Sequence, residues 1–273
     1  MSVDTQPAGT GGDRHGEWAV ILGASSGMGQ EVARRLARQG MNILGVHMDT
    51  AARSAQIEEL TTELAQHSGS IKFINANAAS ETTRQDVVEA LSGRGKVGLL
   101  FHSLAFGSLL PYLVGKDDPE GEALTPRQMT MTLEVMAHSL VWWTRDLIAA
   151  GLLTSGGHVL AMTSAGDSRV SRSYGAVSAA KSALLAHVRQ LAVEAAHYDV
   201  AVNAIRAGVT MTPSFERIPG SDRLAGIALA ANPHCRLTTP ADVAEVVATL
   251  TATRSPWMTG NVIAADGGEG LTT

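Results

Sequence analysis

The sequence predicts an α/β fold: one domain built on a doubly wound, parallel, seven-stranded sheet, with a substrate flap beside the carboxyl edge of that sheet. Three observations predict it. Short apolar runs alternate with stretches of helical periodicity from Trp18 to Ala265. A glycine-rich turn, Gly23-Ala24-Ser25-Ser26-Gly27-Met28-Gly29, joins the first apolar run to the first helix. With 273 residues and 45% hydrophobic composition, the chain can bury a core of the size such a sheet requires.

Residues 1–17 are rich in Gly, Thr and Asp with almost no apolar periodicity, so a disordered tail is expected ahead of a domain over 18–273. Trp18 to Leu22 is the first strand. Met28, Val32 and Leu36 recur at helical spacing, Gly40 stops that helix, and Met41 to Val46 is the second strand. Ile57, Leu60 and Leu64 mark a helix, Ile71 to Ile74 a strand ending at Asn75 to Asn77, and Val87, Val88 and Leu91 a further helix. Val97 to Phe106 reads as a strongly apolar strand, Pro111 to Pro126 as a long surface loop, and Arg127 to Ala150 as one long helix. His158 to Ser164 is a buried strand, followed by a helix from Tyr174 to His197 with Leu184, Val188, Leu191 and Ala195 on one face, and by a strand from Val200 to Ala207. Thr212 to Leu237 is irregular, as a mobile flap would be. Thr239 and Pro240 suit the N-cap and first position of the last helix, and Asn261 to Ala265 is the final strand.

Composition excludes several function classes. A net charge of −5 with no basic block argues against nucleic acid. Cys235 is the single cysteine, so neither an intrachain disulfide nor a cysteine-based metal site can be built, and a reducing, cytoplasmic setting is expected. No apolar run reaches a membrane span, and the N-terminus lacks the order of a signal peptide. His102 and His158 fall on buried strands and read as satisfied core histidines; no metal is expected.

The glycine turn is where an anion belongs. Strand, turn and helix form a βαβ unit whose turn gathers backbone N–H groups at the positive end of the helix, a seat for a pyrophosphate. The spacing is G-x-x-x-G-x-G (Gly23, Gly27, Gly29). A plain strand-to-helix turn has the same pattern, and Gly23 to Gly27 also satisfies the G-x-S-x-G elbow of α/β hydrolases, with Ser25 as nucleophile. Position disfavours the elbow, because earlier strands should supply its second oxyanion-hole donor.

The other polar set is Ser164, Tyr174 and Lys181, at the end of the fifth strand and in the helix after it. Seven residues apart on one helix, Tyr174 and Lys181 point within about 20° of each other. An ammonium beside a phenol lowers the phenol's pKa and lets it exchange a proton nearer neutral pH. The bland alternative is a tyrosine that caps the helix and a solvated lysine.

Together these motifs resemble the short-chain dehydrogenase/reductase family over nearly all of Trp18 to Gly268: the glycine turn, Ser164/Tyr174/Lys181, Asn203-Ala204-Ile205-Arg206-Ala207-Gly208, and the closing Asp266-Gly267-Gly268. Commoner members carry Y-x-x-x-K, which would put tyrosine at Val177. The observed Y-x6-K, with Phe101-His102-Ser103-Leu104-Ala105-Phe106, is similar to the enoyl-acyl carrier protein reductase branch. The resemblance implies a Rossmann-type fold and an NADPH- or NADH-dependent reductase, NADPH being slightly favoured. Hydride goes to the β-carbon of an enoyl thioester, free or carrier-protein-bound, with Tyr174 on the enolate oxygen and Lys181 on the nicotinamide ribose. Gly23, Ser25, Ser26, Gly27, Met28 and Gly29 are implied at the pyrophosphate side, Thr212 at the pyrophosphate or the carboxamide, His47, Asn77 and Ala78 at the adenosine half, and Ser103 and Ala105 near the ribose. Asp49 and Arg53 bear on the choice between NAD and NADP. A homotetramer is implied too, with Trp142 and Trp143 either packing residues or buried between chains.

Four positions depart from the patterns of the family, its enoyl reductases or its classical members. Ser164 stands where an aromatic residue is usual, Leu22 replaces Thr before the first glycine, Asn77 replaces an adenine-side Asp, and Met136 takes the place of a common Asn. They point to a divergent member, with reduction of a small-molecule ketone or enone by Ser164, Tyr174 and Lys181 as the alternative. A non-catalytic nucleotide-binding scaffold is the remaining class.

Overall fold

The computed structural model describes residues 14–116 and 121–272. Its elements, in order, are β1 (Trp18–Leu22), α1 (Gly27–Ala37), β2 (Asn42–His47), α2 (Ser54–Ala65), β3 (Ile71–Asn75), α3 (Glu81–Leu91), β4 (Val97–His102), α4 (Pro126–Leu133), α5 (Ser139–Ala149), β5 (Leu153–Ser164), α6 (Gly175–Ala195), β6 (Ala201–Ala207), α7 (Pro213–Glu216), α8 (Ser221–Ala231), α9 (Pro240–Ala252) and β7 (Val262–Ala265). The sheet order is β3-β2-β1-β4-β5-β6-β7, and every pairing is parallel.

A parallel sheet must be covered on both faces, so its central strands are apolar throughout. All of β1 is buried. Val20 and Leu22 pack with Leu140, Trp143, Leu184 and Val188 from α5 and α6. Ala19 and Ile21 face the other way, onto Val32 and Leu36 of α1, Leu60 and Leu64 of α2 and Val243 and Val247 of α9. Strand order reverses beside β1, which places the ends of β1 and β4 at the crevice where such sheets take ligands.

The structure corrects the sequence reading at several places. Arg14 to Glu17 belong to the packed body: the buried Arg14 guanidinium donates to the carbonyls of Thr251, Gly156 and Thr253 and pairs with Glu17 at 2.8 Å. The rest of the expected tail, residues 1–13, lies outside the described residues. The fourth strand stops at His102, the Ser103 N–H making a last bond to the Leu22 carbonyl of β1. The fifth strand begins earlier, at Leu153. The long helix is interrupted by a π turn over Glu134–His138. The flap carries two helices, α7 and α8, α7 being capped by Thr212. Trp143 is fully buried inside the chain, its Nε1 donating to the Ala78 carbonyl at 2.7 Å, so it does not wait for a partner subunit.

Candidate active site

β1 delivers the chain to Gly23 at the carboxyl edge. Gly23 has φ +85°, and a Cβ there would run into the Ser103 carbonyl; a Cβ on Gly29 would strike the Gly23 carbonyl. Only glycine lets the turn fold this tightly. The first turn of α1 has no side-chain cap from Ser26 and no acidic residue. Its N-terminal end is therefore left for an anion, and the turn fits a dinucleotide pyrophosphate. Thr212 faces this turn, its methyl 3.5 Å from where a Gly27 Cβ would lie, while its hydroxyl accepts from the Phe215 N–H at 3.2 Å.

Beyond β2 the side chains of His47, Asp49, Arg53 and Ser25 converge. His47 Nδ1 lies 2.8 Å from Asp49 Oδ2, and Arg53 donates to Asp49 Oδ1 at 3.0 Å and to the Ser25 carbonyl at 3.1 Å. Burial pushes the Asp49 carboxyl up, but hydrogen bonds from Ser25 and His47 and the charge of Arg53 outweigh it and hold the group below its ordinary range. The carboxylate sits between serine and imidazole, so Ser25 has no general base of the hydrolase kind. Asn75 clamps the Asp49 backbone at 3.1 and 2.9 Å. Asn77 turns its Oδ1 onto the Ala79 N–H at 2.9 Å, and the buried Ala78 gives its carbonyl to Trp143.

β5 and α6 bring Ser164 and Tyr174 together. Tyr174 is the residue at the head of α6, just after Ser173, whose φ of +62° is in the left-handed region. Its ring lies over Gly166, where a Cβ would come within 2.5 Å of Cε1, and the Tyr112 ring packs on Gly175 beside it. Burial pushes the Tyr174 phenol up, opposed by a hydrogen bond with Ser164. This departs from the expected lowering by Lys181. The Lys181 ammonium is buried and donates to the Met162 carbonyl at 2.6 Å, and burial brings its pKa down to about 8 despite the charge of Asp167.

Three features of the site escape a sequence reading. Met136, Val177 and Ala180 form a buried apolar wall on which Leu109, Leu133 and Tyr174 pack. His102, pushed down to about 3 by burial and by the charge of Lys181, is neutral; it lies 2.8 Å from Ser139 Oγ, which donates to the Val135 carbonyl within the π turn at 2.7 Å. Asp167 and Arg206 pair behind Ser164 at 2.9 Å. Met136 carried a signal, since it replaces a polar residue, whereas the ion pair joins positions 39 apart and carried none. His158 is satisfied only on Nε2, at 2.8 Å from the Thr253 carbonyl, while its Nδ1 has no partner. Among the described residues no group of three or more His, Cys, Asp or Glu could hold a metal ion, and no helix is long and apolar enough to cross a membrane.

Known proteins are similar to this chain in sequence and in fold. The family model described as enoyl-(acyl carrier protein) reductase matches residues 23–269. A probable 2,4-dienoyl-CoA reductase of Bacillus subtilis is 25% identical over 262 residues, covering 92% of this chain and 96% of that protein. A tetrahydroxynaphthalene reductase of Pyricularia oryzae is 26% identical over 272 residues, covering 93% and 89%. In fold, the chain is similar to the solved enoyl-[acyl-carrier-protein] reductase (NADH) of Aquifex aeolicus, with a TM-score of 0.80 at 21% identity over 96% of this chain and 99% of that one.

Proposed function

Because the chain belongs to the short-chain dehydrogenase/reductase family, through the enoyl-(acyl carrier protein) reductase model, and is an oxidoreductase, we propose that it reduces the C=C bond of an enoyl thioester with NADPH or NADH. The observation that carries this reading is Tyr174 itself: a phenol kept protonated by burial, at the head of α6 and packed on an apolar wall that suits an acyl chain.

Bound along the glycine turn, the dinucleotide would supply the hydride. Gly23, Ser25, Ser26, Gly27, Met28 and Gly29 would hold its pyrophosphate side, Thr212 the pyrophosphate or the carboxamide, His47, Asn77 and Ala78 its adenosine half, and Ser103, Ala105 and Lys181 its nicotinamide ribose. Asp49 offers a carboxylate to an unphosphorylated ribose and Arg53 a guanidinium to a 2′-phosphate. Tyr174 donates a hydrogen bond to the thioester oxygen. Negative charge developing on that oxygen during reduction at the β-carbon would be stabilised by the phenol O–H and, electrostatically, by the buried ammonium of Lys181. The α-carbon then takes a proton from solvent, giving the saturated thioester. Met136, Val177 and Ala180 exclude water from the acyl side.

A second reading has one specific observation in its favour. The Ser164 hydroxyl meets that of Tyr174, so two donors converge on one oxygen, as reduction of a ketone requires. In that reaction Tyr174 gives its proton to the nascent alkoxide and Ser164 orients the carbonyl.

Product analysis separates the two. With crotonyl thioester and a panel of quinones and cyclic ketones, the enoyl reading expects butyryl thioester, with activity lost in Tyr174→Phe and changed little in Ser164→Ala. Alcohol products alone, sensitive to both substitutions, would replace it with carbonyl reduction.

A further inference from the structure

Behind Ser164 lies a charge pair that hydride transfer as described does not use. Asp167 sits in the turn after β5, its side chain 1% exposed. Arg206 of β6 donates from Nη2 to both carboxylate oxygens at 3.0 and 2.9 Å and from Nε at 3.2 Å. Thr163 Oγ1 donates to the same carboxylate at 3.0 Å. The backbone of this turn is tied as well: Ser178 donates to the Gly166 carbonyl at 2.5 Å and Ser182 to the Asp167 carbonyl at 3.1 Å, both from α6. Gly166 is the residue on which the Tyr174 ring rests. A buried carboxylate is costly unless it is paired and hydrogen-bonded, and here every oxygen is.

The same carboxylate acts on Lys181, where its charge opposes the effect of burial. Two further groups are recorded against that ammonium and both are uncharged: the Met162 carbonyl of β5 and neutral His102 of β4. We infer that the Asp167–Arg206 pair is a positioning device that holds the Ser164–Gly166 turn beneath the Tyr174 ring and keeps the Lys181 ammonium charged. Its importance for turnover rests on the proposed reductase reading; its effect on Lys181 does not.

The test uses that separation. The chain has four lysines, Lys72, Lys96, Lys116 and Lys181, so 13Cε-lysine labelling gives few resonances, and Lys181→Met assigns the one that matters. In the protein without cofactor, Asp167→Asn is expected to lower the Lys181 titration midpoint by about one pH unit or more. Asp167→Asn/Arg206→Gln removes both charges, leaves none unpaired if the single variant fails to fold, and is expected to shift the midpoint in the same direction. An unchanged or raised midpoint in the folded double variant overturns the inference. Where the reductase assay gives turnover, the alkaline limb of kcat/KM follows the midpoint downwards; a protein without reductase activity would refute the functional reading and leave the lysine titration as it stands.

Discussion

Lys181 carries an opposition between stability and chemistry in one side chain. Its pKa in the fold, about 8, lies below the ordinary 10.5, so the unfolded chain binds more protons between those values. Stability contributed by this group therefore rises with pH through that window and is lowest at neutral pH, where the buried ammonium is charged. Lys181→Met is expected to raise stability at pH 7 by about 1–3 kcal/mol while abolishing reductase activity; urea unfolding at pH 7 and pH 10 checks it, the gain shrinking at the higher pH. Tyr174 is placed by what its neighbours lack. Gly166→Ala would push a methyl into the ring, and the expected result is a fall in kcat of about tenfold or more with the fold retained by circular dichroism. The spacing of Tyr174 and Lys181 along one helix made both legible in the sequence, as did Ser164 at the end of an apolar run. Asp167 and Arg206 were not, because their meeting depends on β5 lying beside β6 with Thr163 opposite Arg206, a register that no local pattern encodes.

Among the elements, strands and capped helices were the readable ones. Thr239, Pro240 and Asp242 form a capping box with proline at the start of α9, and all three roles follow from residue type alone. The π turn over Glu134–His138 was hidden, since one extra residue barely disturbs the apolar periodicity from Arg127 to Ala150. At its end Ser139 lies against His102 and bonds back to the Val135 carbonyl. Such turns occur often at functional sites, and this one brings Met136 into the wall beside Tyr174. The helix after it is anchored by Trp143, wholly buried and bonded to Ala78. Trp143→Ala is expected to cost about 3–5 kcal/mol by chemical denaturation. Because the proposed reading puts Ala78 at the adenosine half, the same variant is expected to bind the dinucleotide more weakly in a calorimetric titration. α7 and α8 went unread because their short apolar groups are interrupted by Pro219 and Gly220, and only Thr212 at the head of α7 gave a local signal.

At the scale of the molecule, the doubly covered sheet was plain from the alternation of apolar runs and helical periods, and its two cores follow from strands buried on both faces. The amino-terminal clasp was not plain, because Arg14 acts through carbonyls of residues more than a hundred positions away. Arg14→Ala leaves those carbonyls without a donor and is expected to cost about 2 kcal/mol or more in thermal unfolding. The assembled form in the proposed reading is a homotetramer, and light scattering is expected to give four times the chain mass. The central claim, that this carboxyl edge carries out hydride transfer with Tyr174 as the oxygen's partner, is tested most directly by one absorbance measurement. NADPH and NADH oxidation is followed with crotonyl thioester, in the wild type and in Tyr174→Phe. The account predicts thioester-dependent oxidation in the wild type and a loss of about a hundredfold or more in the variant; equal rates in the two proteins, or no oxidation with any acceptor by a folded wild type that binds the dinucleotide, would contradict it.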